Sequence, residues 1–281
     1  MRKRTLTLPL AALLLALATQ CVSAPVVRAT ERKRVYLSVM SYNIHVGVGM
    51  DKKQDLKRIA QVIKEYHTDL VGLQEVDRGV ERTGRVDEIK ELARLTGMDY
   101  AFAYNLDYQG GQYGVAVLSR FPILAIDHRR YANLHEHERR GFIRVEVEIK
   151  GRRLNFVTTH LDYQSAEGRL YEARQLLKAL EEVSGPLIVT GDFNEDPWGG
   201  VYELMNGAGF ADGWRRSRGP SAEFHGDGAT YPADKPKKRI DYVLYRGVGE
   251  DKPPEHDEDA SFAVPITQAS DHRPISIGLW F

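Results

Sequence analysis

The groups best suited to chemistry in this 281-residue chain cluster in Ile188–Pro197, read as Ile-Val-Thr-Gly-Asp-Phe-Asn-Glu-Asp-Pro. The apolar run Leu187–Val189 reads as a short buried strand that ends in Gly191-Asp192-Phe193-Asn194. In an extended chain, side chains two residues apart share a face. Asp192 and Asn194 are therefore expected to point together, with Phe193 turned to the core. An anion beside a neutral amide at a strand end suits an oxygen-ligand cation, or a water that must be held and deprotonated. An ordinary loop with Asx-turn residues uses the same letters, so the rest of the chain decides.

The same kind of place recurs along the chain. Asn43 closes an expected strand over Val35–Ile44, Glu75 closes one over Asp69–Glu75, and His160 follows one over Leu154–Thr159. Asp241 opens a strand that runs to Tyr245, and Asp271-His272 lead into Ile275–Trp280. Singly, each is explained by a cap, a turn or a satisfied histidine. Jointly they are not, because burying several carboxylates without a cation costs several kcal/mol apiece. Oxygen ligands with no thiolate among them point to Mg²⁺ or Mn²⁺ over Zn²⁺.

The elements that must position these residues follow from periodicity. Asp55–Tyr66, Val86–Thr96 and Glu167–Glu182 carry apolar residues at helical spacing, the second stopped by Gly97. Strands are expected at Tyr100–Tyr104 and Tyr113–Ser119, and a hairpin at Phe142–Ile149 and Leu154–Thr159. Asn105–Gly111 reads as a polar loop, Trp198–Lys238 as a looser Gly- and Pro-containing region, and Glu250–Ala260 as a solvated acidic loop. Arg139 and Arg140 read as a solvated charge run, though either could meet a phosphate. Strands outnumber helices and many are hairpin-linked. Two packed sheets with helices outside fit this better than an alternating parallel barrel.

Composition is that of a globular protein, 42% hydrophobic and 28% charged, with 39 basic and 39 acidic residues. Residues 1–24 have the basic start and apolar centre of an export signal, with cleavage expected between 21 and 29. Residues 25–34 are a lead-in and 35–281 one large domain. Gln20 is too large for the residue usually found before a lipidated cysteine, so plain export is expected over a lipid anchor at Cys21. No stable membrane span is expected after cleavage. Arg2, Lys3 and Arg4 leave with the signal, so 36 basic residues face 39 acidic ones and the net charge becomes −3. That charge gives no global steering to polyanions. One short run, Lys235–Arg239, is cationic beside Asp241.

The ordered pieces Ser41-Tyr42-Asn43, Gln74-Glu75, Gly114–Arg120, Thr159-His160-Leu161, Gly191–Asn194, Arg239–Tyr242 and Ser270–His272 strongly resemble the endonuclease/exonuclease/phosphatase family. The set spans nearly the whole mature chain. The resemblance implies a four-layer α/β sandwich, two packed mixed β-sheets flanked by helices, with the site at one end. It implies metal ligands at Asn43, Glu75 and Asp271. It implies an Asp241–His272 pair, a phosphate-contacting His160, and Asp192 and Asn194 orienting the attacking water. A secreted Mg²⁺- or Mn²⁺-dependent phosphodiesterase or phosphatase, monomeric, on a small or lipid-linked phosphate ester is the expected function. The alternatives are a secreted non-specific nuclease and a non-catalytic binding protein on the same scaffold. Abasic-site repair is disfavoured, because Lys235–Lys238 stands where such enzymes carry a tryptophan. Trp198 and Tyr202, the candidates for a membrane-docking aromatic loop, are expected to pack locally.

Overall fold

The first strand, β1 (Tyr36–Asn43), shows how this sequence builds its layers. Leu37 and Val39 face one way into a core between two sheets, and Met40 and Tyr42 face the other, into a core shared with helices. In the computed structural model, residues 34–217, 228–248 and 262–281 are described. The expected export signal, nearly all of the lead-in and the acidic loop Glu250–Ala260 lie outside them. The compact unit runs from Arg34 to Phe281.

One sheet contains β1, β2 (Leu70–Arg78), β3 (Asp99–Tyr108), β4 (Gly111–Ser119), β11 (Phe262–Ala263) and β12 (Ile275–Trp280), in the order β11-β12-β1-β2-β4-β3. The other contains β5 (Ile123–Arg130), β6 (Gly141–Ile149), β7 (Arg152–His160), β8 (Leu187–Asp192), β9 (Ala211–Asp212) and β10 (Asp241–Arg246), in the order β5-β6-β7-β8-β10-β9. Each has a central parallel pair, β1 with β2 and β7 with β8. Each pair is flanked by antiparallel neighbours, β12 and β4 in one sheet, β10 and β6 in the other. The carboxyl ends of the parallel strands therefore lie level with the amino ends of β10 and β12.

Helices α1 (Leu56–Glu65) and α2 (Glu88–Thr96) cover the outer face of the first sheet. Helices α3 (Ala166–Leu180) and α4 (Gly200–Gly207) cover that of the second, and a short α5 (Gly213–Ser217) follows β9. Asp55, Asp87 and Ser165 cap the first three with side-chain oxygens on backbone N–H groups, the role for which Asp and Ser are favoured at that position. The four layers match the expectation. Two details differ. Strand pairing with β4 carries β3 through the expected loop Asn105–Gly111 as far as Tyr108. Helix α4 also forms inside the region expected to be loose, because Val201, Tyr202 and Met205 bury against the second sheet's outer core. Among the described residues no helix is long and apolar enough to cross a membrane.

Between the sheets, the inner faces change character along each central strand. Leu37 and Val39 give way to Ser41 and Asn43, and Leu70 to Gly72 and Gln74. Leu154 and Phe156 give way to Thr158 and His160, and Ile188 to Thr190 and Asp192; all of these residues are buried. The Ser/Gln/Thr layer is paired: Gln74 Nε2 donates to Thr158 Oγ1 at 2.7 Å, and Thr190 Oγ1 donates to the Val157 carbonyl at 2.9 Å. Gly72 is required at this level, since a Cβ there would lie 2.0 Å from Thr190 Oγ1 and 2.7 Å from Thr158 Oγ1. Gly72→Ala should therefore overpack the seam and cost about 1–3 kcal/mol, read as a lower urea midpoint. An unchanged midpoint would show that the sheets part more easily than this close approach implies.

Candidate active site

At the shared strand edge the polar residues meet. Asn43, from one sheet, donates through Nδ2 to Asp192 Oδ2 in the other at 3.0 Å and to Glu75 Oε1 at 2.9 Å. His272, from the loop before β12, places Nδ1 2.9 Å from Asp241 Oδ2 and Nε2 3.7 Å from Asp192 Oδ2. His160 Nε2 lies 3.5 Å from the same Asp192 oxygen. Asn194 turns its backbone N–H onto Asp192 Oδ1 at 2.8 Å and donates through Nδ2 to the Leu161 carbonyl at 3.0 Å. A cleft of about 530 Å³ opens above them, lined by Glu75, His160, Asp192, Asn194, Asp271 and His272 among others. The residues singled out from sequence thus gather in one place, with Asn43 and Asp241 forming its fully buried floor.

Local backbone geometry places two of them differently from expectation. Glu75 does not end its strand: β2 continues to Arg78, and Glu75 sits at a bulge between Leu73 and Val76 with φ of +57°. The bulge turns a side chain that would alternate in or out toward the cleft. Asn194 is not extended either, with φ of +52°; the Asx-type bond to Asp192 holds it there, a conformation asparagine tolerates better than most. Asn43 meets Glu75 through its amide nitrogen, while its oxygen accepts the His45 N–H at 3.1 Å. As oriented, it braces carboxylates.

The titrating groups divide by neighbour. Burial works against a charged His272, yet Asp241 and Asp192 outweigh it and push the imidazole up to about 10. Burial and the Asp241 charge push Asp192 up to about 7, against His272 and the Asn43 and Asn194 donors. Burial, then Arg140 and His272, hold His160 well below its usual value, so it is neutral. Both ring nitrogens face donors: Arg140 Nη1 lies 2.7 Å from Nδ1, and the Asn194 amide Nδ2 lies 3.0 Å from Nε2. Arginine and amide nitrogens can only donate, so neither partner favours a doubly protonated, charged ring.

Arg140 belongs to the site although its sequence setting reads as a solvated charge run. That reading holds for Arg139, which is exposed, but Arg140 is 3% exposed, ion-paired to Glu138 at 2.8 Å, and lines the cleft. Position just before β6 is the available signal; which of two adjacent arginines turns inward depends on the strand's register against β7. Arg82, Tyr108, Tyr113, Tyr163 and Tyr231 also line the cleft, and the Tyr231 ring stands 4.8 Å from that of His272. Trp198 corrects another expectation: Tyr202 is buried, but Trp198 is 81% exposed, with an Arg215 guanidinium 5.1 Å from its ring.

One clustered set of ligand atoms and two further carboxylates could concern a cation. Among the described residues, Asp192, Asp241 and His272 bring ligand atoms within 4.8 Å of one another. His272 already fills that triangle as a hydrogen-bonded base between two acids, so it is better read as a proton-sharing unit. Glu75 and Asp271 both lie on the cleft wall. Glu75 accepts a hydrogen bond from the Asn43 amide, and the His45 ring lies 3.7 Å from Asp271. Two carboxylates with this little compensation fit a hard divalent cation.

Two mixed six-stranded sheets, helices outside, and a polar edge with paired histidines and carboxylates define a DNase I-like sandwich built for phosphoester chemistry. Residues 40–272 match the model of the Endonuclease/Exonuclease/phosphatase family. The chain belongs to this family, whose members are hydrolases of phosphoester bonds and are generally dependent on divalent metals. Uncharacterized protein YbhP of Escherichia coli (strain K12) is 26% identical over 253 residues, 85% of this chain and 94% of its own. The mannosyl-6-phosphatase Bt3783 of Bacteroides thetaiotaomicron VPI-5482 superposes with a TM-score of 0.66 at 20% identity, covering 87% of this chain and 100% of its own. The human Nocturnin catalytic domain, solved with a bound sulfate anion, gives 0.64 at 20%, covering 89% and 96%.

Behind the cleft wall, Glu88 is fully buried. Its Oε2 accepts the Asp77 N–H at 2.8 Å and its Oε1 the Gln54 amide at 2.9 Å. Burial first, then the Asp77 charge, pushes its carboxyl from 4.5 up to about 8. Below pH 4.5 folded and unfolded chains both hold this proton; between 4.5 and 8 the folded chain alone holds it. Its contribution to stability is thus complete at low pH and lost as pH rises to about 8. Each pH step of one between those values removes at most about 1.4 kcal/mol. Glu88→Gln removes this titration. The difference in unfolding free energy between variant and parent should move in the variant's favour from about pH 5 to about pH 8. A pH-independent difference would mean that Glu88 is ionised in the folded protein.

Proposed function

We propose that this protein is an exported, Mg²⁺- or Mn²⁺-dependent phosphoester hydrolase that acts on a small phosphate ester. The observation that carries this reading is the convergence of neutral His160, Asp192, Asn194 and the Asp241–His272 pair around one cleft, with Glu75 and Asp271 on its wall. The fold shared with a mannosyl-6-phosphatase supports a small phosphate ester, and the net charge of −3 after loss of the signal argues against binding many phosphates.

In this reading Glu75 and Asp271 hold the cation, with Asn43 bracing Glu75. When bound, the cation would neutralise charge on the phosphoryl oxygens. His160, a neutral imidazole on the cleft wall, contacts a phosphoryl oxygen through its Nε2 edge. Arg140, on Nδ1, fixes the ring's orientation from behind. Asp192 and Asn194 orient the water. As its oxygen bonds to phosphorus and the bond to the leaving oxygen breaks, its proton passes to Asp192, and the leaving oxygen, on the far side of phosphorus, takes a proton from solvent. Asp241 holds His272 in the required orientation.

Purified protein should hydrolyse mannose 6-phosphate or p-nitrophenyl phosphate with Mg²⁺ or Mn²⁺, lose the activity in EDTA, and regain it on adding the ion back. Undiminished activity without metal would sink the metal reading. Hydrolysis confined to plasmid DNA would make it a nuclease, and none on any ester a binding protein.

His160→Ala and His272→Ala should each lower kcat by about 10²-fold or more, the scale of lost acid–base or phosphate-binding help. Asp241→Asn should follow His272→Ala, since it acts through that ring. A silent Asp241→Asn beside a severe His272→Ala would break the proposed pairing.

A further inference from the structure

The cleft holds a second arginine whose setting differs from that of Arg140. Arg82 lies in a short 3-10 turn, Glu81–Thr83, beyond the end of β2. Its Nε and Nη2 grip both oxygens of Asp77 at 2.8 and 3.0 Å. Asp77 is fully buried and also accepts from Thr83 Oγ1 at 3.2 Å. The guanidinium carbon sits 4.7 Å from the Tyr108 ring centre and 5.3 Å from that of Tyr113. A fork on a buried acid and two ring contacts fix the plane and rotation of the group. Nη1 is the edge left uncommitted among the described residues, and Arg82 lines the cleft while its side chain is 36% exposed. Holding a donor this rigidly removes most of the entropy cost of using it on a ligand.

We propose that Arg82 is a substrate-binding residue that recognises the leaving group of the phosphate ester, and that this group is rich in hydroxyls, a sugar or a cyclitol. The inference rests on the phosphoester reading above. The surroundings of Arg82 select the chemistry. Glu138 lines the same cleft, so a second phosphate would meet a carboxylate as well as the arginine. Hydroxyls use both, accepting from Nη1 and donating to Glu138. Tyr108 and Tyr163, 39% and 58% exposed on the lining, offer aromatic faces to the C–H side of a ring. A volume of about 530 Å³ is in the range of small-ligand sites. The anchor also adjoins the chemistry: Tyr113, under Arg82, lines the same cleft as Arg140, which lies against His160.

The test compares kcat/KM on mannose 6-phosphate and myo-inositol 1-phosphate with that on p-nitrophenyl phosphate, whose leaving group has one hydroxyl oxygen and a flat ring. Arg82→Gln should raise KM for the better polyol phosphate at least tenfold. It should also lower the ratio of polyol to aryl kcat/KM at least tenfold. Because Arg82→Gln leaves Asp77 buried without its partner, the double variant Asp77→Asn/Arg82→Gln is measured beside it and should show the same loss of ratio while melting close to the parent. Which polyol is hydrolysed faster by the parent separates sugar from cyclitol. An unchanged ratio in the folded double variant overturns the proposal, as does a parent that hydrolyses the aryl ester but neither polyol ester. A parent inactive on all three with metal present defeats the phosphoester reading first and this inference with it.

Discussion

A carboxylate buried at the seam of two sheets governs the rest of the structure. Asp192 is 1% exposed, and an uncompensated charge at such depth is among the most costly things a fold can contain. Its compensation comes from three directions: the Asn43 amide of the opposite sheet, the Asn194 N–H of its own loop, and the His272 imidazole carried before β12. None of these is a sequence neighbour except Asn194. The carboxylate is stable only if both sheets end at the same height, so the electrostatics of the site and the register of the sandwich are one constraint.

The matching topology of the two sheets satisfies it. A parallel pair in each sends two strand ends to the edge, and an antiparallel neighbour in each begins there. The polar inner faces near this edge forgo apolar burial, and the loss is offset by three apolar layers, one between the sheets and one under each helical face. Some of the backbone strain lies at the same edge. Glu75 and Asn194 both occupy positive φ, a conformation costing roughly 1–3 kcal/mol for a non-glycine residue, and both face the cleft. The bulge that strains Glu75 is also what frees its carboxylate from strand alternation.

Behind the groups that line the cleft stands a set of side chains that hold them. Arg140 and Asn194 contact the two ring nitrogens of His160, Asp241 contacts His272, and Ser270 ties the His272 loop to the Asn43 carbonyl at 2.8 Å. A buried arginine beside a neutral histidine is a stable arrangement only because Glu138 balances it at 2.8 Å. The histidines are thereby driven to opposite states, one neutral and one favouring its proton, by partners that arrive from different strands.

Residue order alone was enough to pick out the groups that gather at the cleft and the level at which they sit. Strand alternation and the apolar-to-polar change along Leu37-Val39-Ser41-Asn43 or Ile188-Thr190-Asp192 are local properties, legible one strand at a time, and so were the three long helices. Two packed sheets with helices outside also followed from the many hairpin-linked strands, and the four-layer sandwich from the family resemblance that the ordered motifs carry. Other features exist only once the chain is packed. Glu75 lies on a bulge and Asn194 turns back on Asp192; Arg140, and not Arg139, is buried; Arg82 is clasped by Asp77; α4 closes the second sheet. Most of these depend on a partner distant in the chain, β4 for the bulge, β7 for Arg140, the outer core of β8 and β10 for α4. The energy of burying a charge or bending a strand is set by what packs against it, which no local pattern contains.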